Sequence, residues 1–185
     1  MQMRWEALFA DLEAQLAAAR EQVLESEVSE RLRTDFAALE LAGRLHSQTG
    51  RLLKIDLGLP GAVEGVLSHV GRGWVVLEDR GRSSVIVLDH ALSISGMDRF
   101  SDIEAPVARL GLASALRALS RNRAHVRVHP AGVPPASALA GTVDRVGKDF
   151  FELSLIPHGE PRRAENVRGV CAVPLSAVAA VSSAR

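Results

Sequence analysis

The feature that most constrains the fold is a thirteen-residue segment that the chain contains twice. Gly65–Leu77 and Gly141–Leu153 align without a gap, at a constant offset of 76 residues (141 − 65 = 76). In both copies, apolar residues recur at about every second position on either side of a short polar turn, which predicts two antiparallel strands. Glycines within strands mark bulges or sharp bends, and strongly bent strands close small barrels. The repeat therefore predicts two related small β-barrels in tandem.

The repeat extends beyond this central segment. Leu39–Ala42 before the first copy is similar to Leu110–Ala113 before the second, and Val87–Leu92 is similar to Val173–Val178. The last two segments are 86 residues apart (173 − 87 = 86), which predicts an insertion of ten residues in a polar loop at 157–168. Each repeat is therefore expected to contain one helix and five strands, as a duplication would produce.

The N-terminal part of the chain is predicted to be helical. Residues 5–45 contain no proline and no glycine before Gly43, and they are rich in strong helix formers. A helix of roughly 40 residues would extend ~60 Å, further than a small barrel is wide. Its apolar stripe is therefore expected to contact another chain, and a helix that folds back after a break near Glu25–Ser29 is an equal alternative. The candidate interface residues are Trp5, Leu8, Phe9, Leu12 and Leu16.

Composition excludes several classes of protein. The 185 residues include 22 basic and 22 acidic residues, so the formal net charge is zero. The domain-wide basic excess that is usual in nucleic-acid-binding proteins is missing. A single cysteine, Cys171, excludes an internal disulfide and suits a reducing compartment. No signal peptide and no apolar run near ~18 residues are present, so a cytoplasmic protein without membrane association is expected.

Catalytic and metal-binding motifs are not evident. His125 and His129 are four residues apart, but on a strand they would be separated by ~13 Å, too far for a shared metal ion. No serine, cysteine or paired-carboxylate arrangement has the sequence context of a catalytic site, and no phosphate-binding glycine loop occurs. The sequence therefore predicts a protein that is not an enzyme, with no catalytic residue, metal site or cofactor. Trp74, Phe150 and Phe151 are expected in the barrel cores, and Cys171 is expected to be an inert buried thiol.

Several segments resemble the Sm-like family, in particular its bacterial Hfq-like RNA chaperones. Leu116–Val128 resembles that family's segment at the end of its helix, in which an Arg-rich turn precedes a strand. Gly65–Val70 followed by Trp74–Leu77 resembles its bent second and third strands, with one extra residue in the turn. Val87–Ser93 resembles its Tyr-Lys-His-Ala-Ile-Ser motif. The resemblance implies an α+β fold, in which a long N-terminal α-helix is followed by two tandem Sm-like (SH3-like) five-stranded barrels, each preceded by a helix.

The resemblance also implies candidate RNA contacts. His90 stands at the family's RNA-contacting histidine, and Arg121 and Arg123 stand at its rim arginines. The chain departs from the family at Leu88 and Asp89, which replace its Tyr and Lys, and the second repeat has Ser176 in place of the histidine. Expected domains are the N-terminal amphipathic or coiled-coil helix at 1–38, the first helix and barrel at 39–98, and the second at 106–182.

Two functions remain open at this point. The first is a non-enzymatic RNA-binding protein that acts in post-transcriptional or transcriptional regulation. The second is an oligomeric protein-interaction scaffold that uses the N-terminal helix and the barrel edges without nucleic acid. In both, self-association or a protein partner is expected at the N-terminal helix.

Overall fold

The computed structural model describes residues 3–98, 110–156 and 166–183. The chain divides into two compact units, residues 1–40 and 41–185. In the first unit, residues Met3–Ala37 form the helix α1. Large apolar side chains along its described part are exposed, among them Val23, Val28 and Phe36. Tertiary burial therefore does not stabilise this part of the helix within the unit.

The described part of the second unit contains two further helices and ten strands. The helices are α2 (Leu41–His46) and α3 (Leu112–Arg121). The strands are β1 (Leu52–Asp56), β2 (Ala62–Gly71), β3 (Trp74–Asp79), β4 (Arg82–Val87), β5 (Ser93–Ser95), β6 (His125–Pro130), β7 (Leu139–Val146), β8 (Phe150–Leu155), β9 (Gly169–Pro174) and β10 (Val178–Ser183).

The predicted fold class, α+β with two tandem Sm-like barrels, is wrong. All ten strands form one continuous antiparallel sheet in the order β5-β1-β2-β3-β4-β10-β6-β7-β8-β9. The two halves are joined because β4 pairs with β10, with Ile86 opposite Ala180 and Ser84 opposite Ser182. This pairing satisfies backbone groups that each half alone would expose at its edge. We call the β4–β10 pairing the junction.

The predicted internal repeat is present in the sheet. Both copies of the central segment form a strand pair, β2–β3 and β7–β8, and in both the register shifts at the same place, after Leu67 and after Val143. In each copy, the residue two positions before the register shift, Gly65 or Gly141, has to be a glycine. A Cβ on Gly65 would lie 2.9 Å from the carbonyl oxygen of Glu78, and one on Gly141 would collide with that of Ser154.

The offset between the later strands differs from the predicted one. Trp74 is opposite Val87 in the first half, and Phe150 is opposite Pro174 in the second. Trp74 and Phe150 are 76 residues apart, whereas Val87 and Pro174 are 87 residues apart (174 − 87 = 87). The insertion therefore has eleven residues, and the second-half counterpart of His90 is Ala177 instead of Ser176. A chance match of short apolar segments caused the one-residue error.

Two hydrophobic clusters lie along the sheet, and the junction connects them. Trp74, Val85 and Val87 belong to the first half but pack in the cluster of the second half. Conversely, Ala179 and Ala180 from β10 pack in the cluster of the first half. Each half therefore completes the core of the other.

Single-residue predictions about the core have mixed outcomes. Trp74 and Phe151 are buried, as expected. Phe150 is 40% exposed, so its assignment to a core is wrong. Cys171 is half-buried rather than buried, because β9 is the last strand of the sheet and no described strand covers its outer edge.

Some predicted segments lie outside the described residues. These are most of the polar linker, at 99–106, the start of the second helix, at 107–109, and the insertion loop, at 157–165. The described part of the second helix, α3, begins after Gly111, whose extended backbone precedes the first turn.

Candidate nucleic-acid interface

The helix α3 places arginines on the surface of the second half. Its apolar residues recur at three- and four-residue steps, so that Leu116 is fully buried and Leu112 and Leu119 pack around it. Two side chains fix the helix to the sheet. The Ser120 hydroxyl donates to the carbonyl oxygen of Asp144 at 2.9 Å, and the Arg117 guanidinium donates to that of Gly147 at 3.2 Å.

The end of α3 has an unusual backbone conformation. Arg123 has a φ of 47°, in the left-handed region, and its N–H donates to the carbonyl oxygen of Ser120 at 3.1 Å. Glycine usually occupies this position after a helix, because a Cβ there costs about 1–2 kcal/mol. The chain therefore has an arginine where the backbone alone would favour glycine. A residue held in such a conformation makes its side chain a candidate for a functional role.

Arg117, Arg121 and Arg123 form what we call the arginine patch. All three side chains are exposed. Within the described part of the chain, no salt bridge joins any of them to a carboxylate. The sequence around them has no Asp or Glu between Glu104 and Asp144. This stretch of the sequence therefore carries arginines without any acidic residue, although the net charge of the chain is zero.

Sequence reasoning found two members of this patch and missed Arg117. The 39 acid-free residues between Glu104 and Asp144 were the available signal. Whole-chain charge hides this signal, because the acidic residues that balance the arginines lie elsewhere. Elsewhere arginines do pair with carboxylates: Arg51 pairs with Asp98 at 2.6 Å and Arg145 pairs with Glu152 at 2.7 Å.

His90, the third candidate RNA contact, is engaged at the junction. It ends a 3-10 turn, Leu88–His90, that follows β4. Its Nε2 lies 2.9 Å from the carbonyl oxygen of Ser176 in the second half, and the ring is half-buried. This hydrogen bond gives the ring a role in joining the two halves and does not bring it into the arginine patch.

The candidate protein-interface residues lie in α1. The side chains of Trp5, Leu8, Phe9 and Leu12 are outside the part of the structure that is described. Leu16 is described, and it is 57% exposed.

A cavity of about 330 Å³ lies beside the junction. Its lining includes the charged side chains Glu64, Asp79 and Arg82, together with His129. The His129 Nε2 lies 3.2 Å from the Ser182 hydroxyl. Burial, and secondarily the nearby positive charge of Arg127, lowers the pKa of His129 below its ordinary value of 6.5. Both signs of charge line this cavity, so it has no clear preference for a ligand of one charge.

Neither a metal centre nor a membrane span is found in the described ranges. No group of three or more His, Cys, Asp or Glu residues there could hold a metal ion. No helix there is both long enough and apolar enough to cross a membrane.

Comparison with known proteins gives no relative for this chain. No family model, no curated protein and no solved structure matches it.

Proposed function

We propose that this protein is a non-enzymatic RNA-binding protein whose arginine patch contacts the phosphate backbone. The observation that carries the proposal is Arg123, an exposed arginine in a left-handed backbone conformation that favours glycine. Arg121 lies two residues before Arg123, and Arg117 lies one helical turn before Arg121. The Arg117 guanidinium also donates to the carbonyl oxygen of Gly147. Guanidinium groups bind phosphate oxygens with two parallel hydrogen bonds.

The expected mode of binding is weak and largely independent of sequence. Contacts to phosphates position a protein on a nucleic acid but do not read bases. Because the protein has no net charge, affinity must come from the local patch and should fall steeply with salt. Such binding fits a role in post-transcriptional or transcriptional regulation. A lone cysteine is compatible with the cytoplasm, where we place the protein.

The direct test is a fluorescence-anisotropy titration with single-stranded uridine-rich and adenine-rich RNA at several salt concentrations. Arg121→Ala combined with Arg123→Ala should weaken binding. If each arginine contacts one phosphate, the slope of log K against log salt should become shallower by about 1.4, since each contact to single strands contributes about 0.7. The matched control is Arg80→Ala, because Arg80 is also exposed and also has a φ of 47°. No binding at low salt would overturn the proposal.

The second candidate function is a protein-interaction scaffold without nucleic acid. The exposed apolar side chains of α1, including Leu16, Leu24 and Phe36, favour it. A pull-down with a peptide of residues 1–40 would test it, with Leu24→Glu and Val28→Glu together as the variant expected to lose the partner.

A further inference from the structure

Among the described residues, no further strand pairs with either end of the ten-stranded sheet. The two outer strands correspond, through the internal repeat, to the two strands that pair at the junction. The outer strand at one end is β5, from the first half, and at the other end it is β9, from the second half. By the offset of 87 residues, β5 is the counterpart of β10 and β9 is the counterpart of β4. The junction pairs β4 with β10. The sheet therefore has the counterpart of β10 at one end and the counterpart of β4 at the other.

Side chains that the junction buries are exposed at the β9 end. In the first half, Trp74, Val85 and Val87 are 4%, 8% and 8% exposed, because they pack in the cluster of the second half. Their counterparts in the second half are Phe150, Ala172 and Pro174, and all three are exposed.

The β5 end shows the reverse side of the same contact. In β10, Ala179 is fully buried because it packs in the cluster of the first half. Its counterpart Leu92, next to β5, is 72% exposed. Each end of the sheet therefore exposes an apolar side chain whose counterpart in the other half is buried at the junction.

We propose that β9 of one copy of this chain pairs with β5 of a second copy, in the register of the junction. This inference gives the sheet edges a partner, and it holds whether or not the arginine patch binds RNA. Such a contact is head-to-tail, so every added copy again presents one free β5 and one free β9. The assembly grows until it closes into a ring or extends as a filament.

The register follows from the same offset. In the junction, Ser84 is opposite Ser182 and Ile86 is opposite Ala180. Adding 87 to the β4 residues gives their counterparts in β9, and subtracting 87 from the β10 residues gives their counterparts in and beside β5. In the proposed contact, Cys171 is therefore opposite Ser95, and Val173 is opposite Ser93. Directly opposed residues in an antiparallel pair have Cα atoms about 4.5–5.5 Å apart, within the range that a disulfide spans.

The only cysteine of the chain is therefore a register probe. The experiment mixes wild-type protein, which carries Cys171, with a full-length Ser95→Cys, Cys171→Ser variant under mild diamide oxidation. The expected product is a reducible heterodimer. The single variant Ser95→Cys, which carries both thiols, should form a ladder of multimers, whereas wild type alone can form no covalent species beyond a dimer.

The matched control moves the thiol by two residues on the same strand. Ser93→Cys, Cys171→Ser has the same chemistry and an equally exposed starting serine, but its thiol lies diagonal to Cys171, about 7–8 Å away between Cα atoms. Its heterodimer yield should be several-fold lower than that of the Ser95→Cys, Cys171→Ser variant. Equal yields, or disulfide-linked homodimers of the Ser95→Cys, Cys171→Ser variant as the main product, would overturn the proposal.

Sedimentation velocity supplies a second readout that needs no cysteine. Leu92→Asp and Phe150→Asp should each reduce the average mass of the assembly, because a carboxylate would be buried at the contact. Leu59→Asp is the control, since Leu59 is 65% exposed in a turn outside the proposed contact, and its mass should equal that of wild type. A wild-type chain that is monomeric at all concentrations would contradict the inference.

Discussion

The indole N–H of Trp74 donates a hydrogen bond to the carbonyl oxygen of Leu110 at 2.8 Å. This bond connects the strand pair of the first half to the segment that leads into α3 of the second. The backbone N–H of Arg72 donates to the same oxygen at 3.0 Å. The two halves are therefore held by polar contacts as well as by the paired strands β4 and β10.

Replacing Trp74 should weaken this connection. Trp74→Phe keeps an aromatic ring but removes the donor and part of the buried surface. We expect the free energy of unfolding to fall by about 1–3 kcal/mol, the sum of a lost hydrogen bond and reduced core packing. Urea denaturation measures the change, and an unchanged midpoint would show that the bond to Leu110 contributes nothing.

The glycine at the second bulge should tolerate no side chain. A Cβ on Gly141 would collide with the carbonyl of Ser154, so Gly141→Ala must displace β8. The expected destabilisation is about 1–3 kcal/mol. Gly169→Ala is the matched control, because no described atom lies within 4 Å of its Cβ position. Equal thermal midpoints for the two variants would refute the close approach.

The stability of the protein should depend on pH through His129. Its folded-state pKa is lowered, by burial first and by Arg127 second, from the ordinary value of 6.5. Above that value the ring is neutral in both states and stability is complete. As pH falls below it, the unfolded chain takes up the proton more readily, so the melting temperature should decrease.

The variant His129→Gln tests the assignment. It keeps a polar group beside Ser182 but cannot titrate, so its melting temperature should change less than that of wild type on going from about pH 7.5 to about pH 5.5. Identical changes in the two proteins would show that His129 does not cause the pH dependence.

The sequence is informative where geometry is local. The constant offset of 76 residues predicts the two strand pairs, because the alternation of apolar residues and the turn between the strands lie within one short segment. It is uninformative about the junction. The residues Ile86 and Ala180 pair although they are 94 positions apart (180 − 86 = 94), and no local pattern specifies which edge a strand will meet. The prediction of two tandem Sm-like barrels fails for this reason.

The errors at single residues also arise where the local pattern does not determine the environment of the side chain. The alignment with Trp74 predicts a core position for Phe150, but exposure depends on what covers the ring. In the first half the segment at Leu110 covers Trp74, and Phe150 remains 40% exposed. The predicted offset of Val87 is one residue too short, since Val173 is a better match by residue type than the true counterpart, Pro174.

The central claim is that Arg123 occupies a glycine-favouring position because its guanidinium contacts RNA. The single variant Arg123→Gly tests it most directly. Removing the left-handed Cβ saves about 1–2 kcal/mol, and the extra freedom of glycine in the unfolded chain costs about 0.5–1 kcal/mol. We therefore expect stability to be unchanged or to rise by up to about 1.5 kcal/mol.

The decisive measurement is RNA affinity at low salt for Arg123→Gly beside Arg80→Gly, which alters the same backbone conformation in the turn between β3 and β4. We predict that Arg123→Gly binds RNA several-fold more weakly while remaining fully folded, and that Arg80→Gly binds like wild type. Equal affinities for wild type and both variants would contradict the claim.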